Sequence, residues 1–136
     1  DGFFPDVKAS EFRQTMRQDK TVTAERMRES LINSIASVNR QLAPWKALQV
    51  EAGMATLAAV DPSEIGGKPV KVHYYLMAVY SLAKAELIER YRDFDATNSG
   101  REKADEMDET EDYYRRDARW AVADIQGKQR TVVELI

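Results

Sequence analysis

A chain of 136 residues, 43% hydrophobic and 32% charged, has room for one domain with a real core that buries about 65–70% of its unfolded surface. With 6 Gly, 4 Pro and no apolar run longer than Tyr74–Tyr80, the composition excludes collagen-like, wholly disordered and membrane-spanning chains, since a spanning helix needs about 20 apolar residues. The lack of cysteine excludes disulfides and thiolate chemistry, and a formal net charge of −3 argues against nucleic-acid binding by bulk electrostatics.

The hydrophobic period is helical almost throughout. Phe3-Phe4-Pro5 reads as part of an extended N-terminal arm, Asp1 to Val7; a start at Asp in place of Met is consistent with trimming, and no charged-then-apolar leader announces secretion. Ser10 is positioned to cap a short helix with Phe12 and Met16 on one face. Thr21 and Thr23 offer caps for a second helix, whose apolar stripe is Met27, Leu31, Ile35, Val38 and Leu42. Pro44 is expected to break or kink it, because proline lacks the N–H and clashes with the preceding turn; Trp45 and Leu48 continue the stripe beyond. Asp61-Pro62-Ser63 and Gly66-Gly67-Lys68-Pro69 are loop chemistry.

A third long helix is predicted from about Val70 to Phe94. Between Tyr74 and Ile88 only Ser81, Lys84 and Glu86 are strongly polar, so this helix is buried on several sides and central. Thr97-Asn98-Ser99-Gly100 stops it. A last helix follows with Tyr114, Ala118, Ala121 and Ile125 as its inner stripe, Glu111–Arg115 and Asp112–Arg116 as acid-before-base pairs, and Gly127 as the residue beyond its end. Leu31, Ile35, Val38, Leu76, Val79 and Ala121 are the expected core. The fold class is all-α: one bundle of four to five helices over residues 1–130, then an extended C-terminal tail, 131–136.

Candidate chemistry is sparse. Asp95, Thr97, Ser99, Gly100 and Glu106 fall at calcium-loop positions, but Glu102 and Lys103 occupy places where such a loop wants an apolar residue and a ligand; a polar turn is the better reading. Residues 101–112 hold seven acids and two bases. Acid–base catalysis needs two carboxylates in one low-dielectric cleft; seven acids in twelve residues cannot all face one, so they read as a solvated helix start favoured by the helix dipole. His73 is the sole histidine and reads as a structural residue at the rim of the core. Gly67-Lys68 resembles the end of a phosphate loop, but Pro69 stands where Ser or Thr is required. No catalytic set, metal site or cofactor site emerges.

Arg115, Arg116, Arg119, Lys128 and Arg130, with Tyr113, Tyr114 and Trp120 interleaved, could touch nucleic acid by phosphate contact and stacking; pairing within or between subunits is the preferred reading, since Arg116 and Trp120 are one turn apart. The tail Thr131, Val132, Val133, Glu134, Leu135 and Ile136 is apolar on both sides of an extended chain. It either folds back on its own bundle or inserts into a partner, strand addition being one such mode.

Three stretches also carry a family resemblance. Glu89-Arg90-Tyr91-Arg92-Asp93-Phe94-Asp95, the run Asp112-Tyr113-Tyr114-Arg115-Arg116-Asp117-Ala118-Arg119-Trp120-Ala121, and the closing Arg130-Thr131-Val132-Val133-Glu134-Leu135-Ile136 look like the head completion proteins of peduovirus-type tailed phages. Phe3-Phe4-Pro5-Asp6 and Tyr80–Leu87 fit as well. The resemblance implies a structural virion protein, made in the host cytoplasm, that binds the portal protein at the capsid vertex after DNA packaging. It implies a ring of copies, a dodecamer matching the portal, with C-terminal segments embedded in the portal, a DNA channel through the centre and a docking surface for the tail completion protein. In that setting Thr131 to Ile136 are the expected portal contact. Glu102, Asp105, Glu106, Asp108 and Glu109 are expected to face the channel, where carboxylates repel passing phosphate. The rival expectation is a helical DNA-binding module built on the late basic cluster.

Overall fold

The structure, a computed structural model, describes residues 2–18, 22–94 and 100–128, with side chains for these except 91–108. In chain order the elements are α1 (Ala9–Thr15), α2 (Ala24–Glu51), α3 (Leu57–Val60), β1 (Glu64–Ile65), β2 (Lys68–Pro69), α4 (Val70–Phe94) and α5 (Gly100–Gln126). The fold is an all-α bundle with one small hairpin.

α1 begins one residue before the expected cap. Lys8 is its N-cap residue and supplies no side-chain bond, while Ser10 lies inside the helix; the fully buried Phe12 anchors this short element in place of a cap. α2 starts as its sequence dictates, with the Thr23 hydroxyl accepting from the Arg26 N–H at 3.2 Å. Met27, Leu31, Val38 and Leu42 are buried and Ile35 packs at the edge of the core.

Pro44 does not break α2, which runs unbroken to Glu51. The proline removes the bond that the Arg40 carbonyl would have accepted, but Arg40 and Pro44 are both exposed, so water reaches the freed carbonyl. Trp45 does continue the apolar stripe, packing against the core. Leu48 does not: it is 63% exposed.

The N-terminal arm is extended but not free. Phe3 and Phe4 are buried. Phe4 stacks on Tyr75 with ring centroids 4.9 Å apart, Phe3 meets Trp45 edge-on, and the Phe3 carbonyl accepts from the Leu57 N–H at 2.9 Å. Asp61 to Pro69 contains a tight antiparallel hairpin, Glu64 opposite Pro69 and Ile65 opposite Lys68. Its turn needs positive φ at both central residues, which Gly66 (59°) and Gly67 (78°) supply.

α4 has the expected span and the expected central place, packing against α2, α3, α5 and the hairpin. Tyr75, Leu76, Ala78, Val79, Tyr80, Ala83 and Leu87 are buried along it. Small residues allow close approach to α2, where the buried Ser30 hydroxyl donates to the Ala83 carbonyl at 3.1 Å. α5 lays Ala118, Ala121, Val122 and Ile125 against α4, and Tyr114 is half-buried beside them. It ends in a Schellman motif: Gly127 has φ 69°, its N–H donates to Asp124, and Lys128 N–H donates to Ala123. Lys71, at the start of α4, donates to the Ile125 carbonyl and so secures the same end.

Candidate interaction surface

Where α5 crosses the second half of α4, Arg115 ties three turns together. Its guanidinium reaches Glu111 at 2.9 Å and Glu89 of α4 at 2.8 Å. Glu111 is only 7% exposed, and this charge-assisted pairing replaces hydrogen bonds to water lost on burial. The Glu111–Arg115 pair was legible from its four-residue spacing; Glu89, twenty-six residues from Arg115 in sequence, was not, since only the antiparallel α4–α5 pairing brings it there.

The expected Asp112–Arg116 pair does not form. Arg116 instead bonds Asp117 at 3.2 Å and lies across two rings, 4.4 Å from the centroid of Trp120 and 5.0 Å from that of Tyr113. The planar guanidinium gains more from two aromatic faces than from one exposed carboxylate. Of the late basic cluster, then, Arg115 and Arg116 are engaged within the bundle, whereas Arg119 and Lys128 are exposed. Arg130 lies outside the described residues, as do Thr131 to Ile136.

Glu102, Asp105, Glu106 and Asp108 belong to the first turns of α5, but their side chains are outside the described set; Glu109 is exposed and accepts from the Tyr113 hydroxyl at 3.3 Å. Gly100 to Glu106, the second half of the calcium-loop candidate, is helical, which is incompatible with a loop wrapped around a cation; Asp95 to Ser99 lie outside the described residues. Among the described residues no three His, Asp or Glu side chains gather as a metal site, and no helix is long and apolar enough to cross a membrane. Gly67 is the second residue of the hairpin turn and Lys68 opens β2, paired with Ile65. His73 is half-buried beside a cavity of about 290 Å³ between the hairpin and α4, with Ile65, Leu76 and Met77 among its walls.

Two buried phenols complete the polar inventory of the core. Tyr75 donates to Asn39 at 2.7 Å, yet burial pushes it up to about 12. Tyr80 is also pushed up to about 12, by burial first and by the neighbouring Glu11 carboxylate second. Neither is poised to exchange a proton near neutrality. Asp61 is held below its ordinary value by the Ser63 N–H, 2.9 Å away, which is turn chemistry.

A second cavity, about 470 Å³, opens between α2 and α5 over α4, with Leu82 and Ser34 among its lining residues. Sequence reasoning missed it, because it arises from two helices diverging over a third.

Fold and surface define a helical bundle whose polar side chains hold helices together and whose open features are grooves and exposed aromatic or charged faces, the kit of a protein that binds other proteins. The chain belongs to the phage head completion protein (GPL) family, whose model matches residues 1–136. It is similar to the head completion/stabilization protein of Escherichia phage P2, 43% identical over 134 residues that make up 98% of this chain and 79% of that protein. No solved structure matches. The family resemblance carried by the Glu89–Asp95, Asp112–Ala121 and Arg130–Ile136 stretches therefore holds, and the chain is a structural component of phage head assembly.

Proposed function

We propose that this head completion protein is a head–tail connector adaptor. It binds the portal ring at the capsid vertex after DNA packaging, assembles there as a ring of copies (a dodecamer matching the portal), extends the DNA channel and presents a docking surface to the tail completion protein. It carries out no catalysis and takes no cofactor. The observation that supports this reading is the family match along the whole chain; the engagement of Arg115 and Arg116 within the bundle leaves less of the late basic cluster for the DNA-binding rival.

The portal contact is assigned to Thr131, Val132, Val133, Glu134, Leu135 and Ile136. The Schellman motif at Gly127 closes α5, Lys128 beyond it is exposed, and in sequence a short polar linker precedes the aliphatic segment, which supports this assignment. Burying four aliphatic side chains contributes about 1.5–3 kcal/mol each in gross terms, less the cost of ordering the segment, and a ring repeats the net gain in every copy. Glu102, Asp105, Glu106, Asp108 and Glu109 are assigned to the channel mouth, where they keep DNA from adhering. In this reading the protein resides at the portal vertex of the virion.

The test is a chain ending at Arg130. It is expected to keep its helical circular dichroism and melting temperature, yet to be lost from a pull-down on portal rings. Undiminished binding would show that the segment is not the anchor; unfolding would show that it belongs to its own core.

A further inference from the structure

Both α2 and α5 run antiparallel to α4, as the Ser30–Ala83, Asn39–Tyr75, Glu89–Arg115 and Lys71–Ile125 contacts show, so they run in the same direction as each other. Their contacts keep step. Ser34, whose buried hydroxyl has no hydrogen-bond partner among the described residues, lines a cavity with Arg115, and Gln41 lines the next one with Val122. From Ser34 to Gln41, and from Arg115 to Val122, is close to two helical turns, so the same sides meet again one repeat later. On α2 that next position is Leu48. Its counterpart after Val122 is Gln129, but α5 has stopped at Gln126. Lys71 marks the level: its ammonium donates to the Ile125 carbonyl and lies 5.7 Å from the centroid of the Trp45 ring. Beyond that level α5 no longer runs beside α2.

An exposed leucine is ordinary in itself; Leu48 is set apart by its place. It is 63% exposed and stands one turn past Trp45, which packs on the core. Pro44 and Ala52, one turn to either side of Leu48, are exposed as well. Residues one turn apart share a face, so the three make an uncharged apolar row on the side where α5 would have continued. The chain that follows α5 and Lys128 is residues 129–136, of which Val132, Val133, Leu135 and Ile136 are aliphatic. Extended, these residues reach up to about 26 Å, against a rise of about 12 Å from Pro44 to Ala52. A segment tethered this close faces such a row at an effective concentration on the order of millimolar, which places it ahead of any free partner.

We propose that, in the free chain, Thr131 to Ile136 lie along the Pro44–Leu48–Ala52 row of their own α2 and cover Leu48. The seat is at the rim of the bundle, so the segment sits and leaves without unfolding, and its removal moves the melting temperature by no more than a few degrees. A seated segment is also shielded from pairing with other chains, the hazard of an exposed aliphatic strand. The seat concerns the chain before it meets the portal. Only the handover, in which the portal takes the segment from Leu48, rests on the proposed anchor.

Trypsin cuts after Lys128 and Arg130, and its rate follows the population in which the segment is unseated. Leu48→Asp puts a carboxylate in the seat and is expected to speed loss of the C-terminal peptide, read by mass spectrometry, by about threefold or more. Ile32→Asp, at a comparably exposed position on the opposite side of α2, is expected to leave that rate unchanged. The chain has no cysteine, so thiol pairs map the seat. With oxidised glutathione, Ala52→Cys plus Val133→Cys is expected to close a disulfide within one chain about tenfold faster than Ala43→Cys plus Val133→Cys, because only the first pair has a thiol on the row. Unchanged cleavage of Leu48→Asp, or equal closure of the two pairs, would overturn the seat. Neither measurement uses portal rings, so both are separate from the fate of the chain ending at Arg130, which judges the anchor. In a portal pull-down Leu48→Asp is expected to bind at least as well as the unaltered chain; a loss of binding would place Leu48 in the portal contact and overturn the proposal.

Discussion

Replacing Phe4 with alanine probes whether the N-terminal arm belongs to the core. The Phe4 ring is 6% exposed, lies nearly parallel to Tyr75 with an interplanar angle of 13°, and meets Phe3 edge-on at 5.0 Å. Removing a buried phenyl ring costs about 3–5 kcal/mol, the lost transfer energy plus the cavity left behind. For a domain of this length each kcal/mol moves the melting temperature by roughly 3–5 °C, so Phe4→Ala is expected to melt about 10–20 °C lower. Thermal unfolding followed by circular dichroism measures this, and urea titration supplies the free energy without the temperature scale. Phe4→Leu, which retains much of the volume, is expected to lose less than half as much. If Phe4→Ala costs under about 1 kcal/mol, the arm is an appendage and its packing against Tyr75 contributes nothing.

Pro44→Ala is expected to stabilise the protein by about 1–3 kcal/mol, because it restores the bond to the Arg40 carbonyl and removes the ring clash in an exposed part of α2; chemical denaturation reads this directly, and a destabilised variant would mean that the proline shapes the helix in a way the packing needs. The phenols set an alkaline limit. Both are raised to about 12 from an unfolded value near 10, so the folded state holds their protons more tightly, and the stability they contribute is complete below about pH 10 and lost as pH rises toward 12. Tyrosinate absorbance and helical signal, recorded together, are expected to change in that window, and Tyr75→Phe to remove its share of the pH dependence.

The long helices were legible because their punctuation is explicit. α4 is bracketed by Gly66-Gly67-Lys68-Pro69 and Thr97-Asn98-Ser99-Gly100, and its span follows without any tertiary information. α3 and the hairpin were not legible, since elements of four and two residues have no period to detect. Pro44 misled because the rule against internal proline concerns the lost bond, and its cost depends on whether the freed carbonyl meets water or protein, which sequence does not state. Asp112–Arg116 misled because Tyr113 and Trp120 compete for the same guanidinium at equally good helical spacing. The unpaired Ser34 hydroxyl has no sequence signature: a serine in an apolar stripe looks the same whether its neighbours satisfy it or not.

The docking of Phe3 and Phe4 also sets an order of events during synthesis. These residues leave the ribosome before their partners, because the backbone group that pairs with Phe3 belongs to Leu57 and the ring that receives Phe4 belongs to Tyr75. Until α4 has emerged, the two phenylalanines have no slot, and the growing chain displays both rings to solvent. Closure of the core is thereby deferred until α4 has been made, and the loop-closing contacts that accomplish it are of the long-range kind that slows folding.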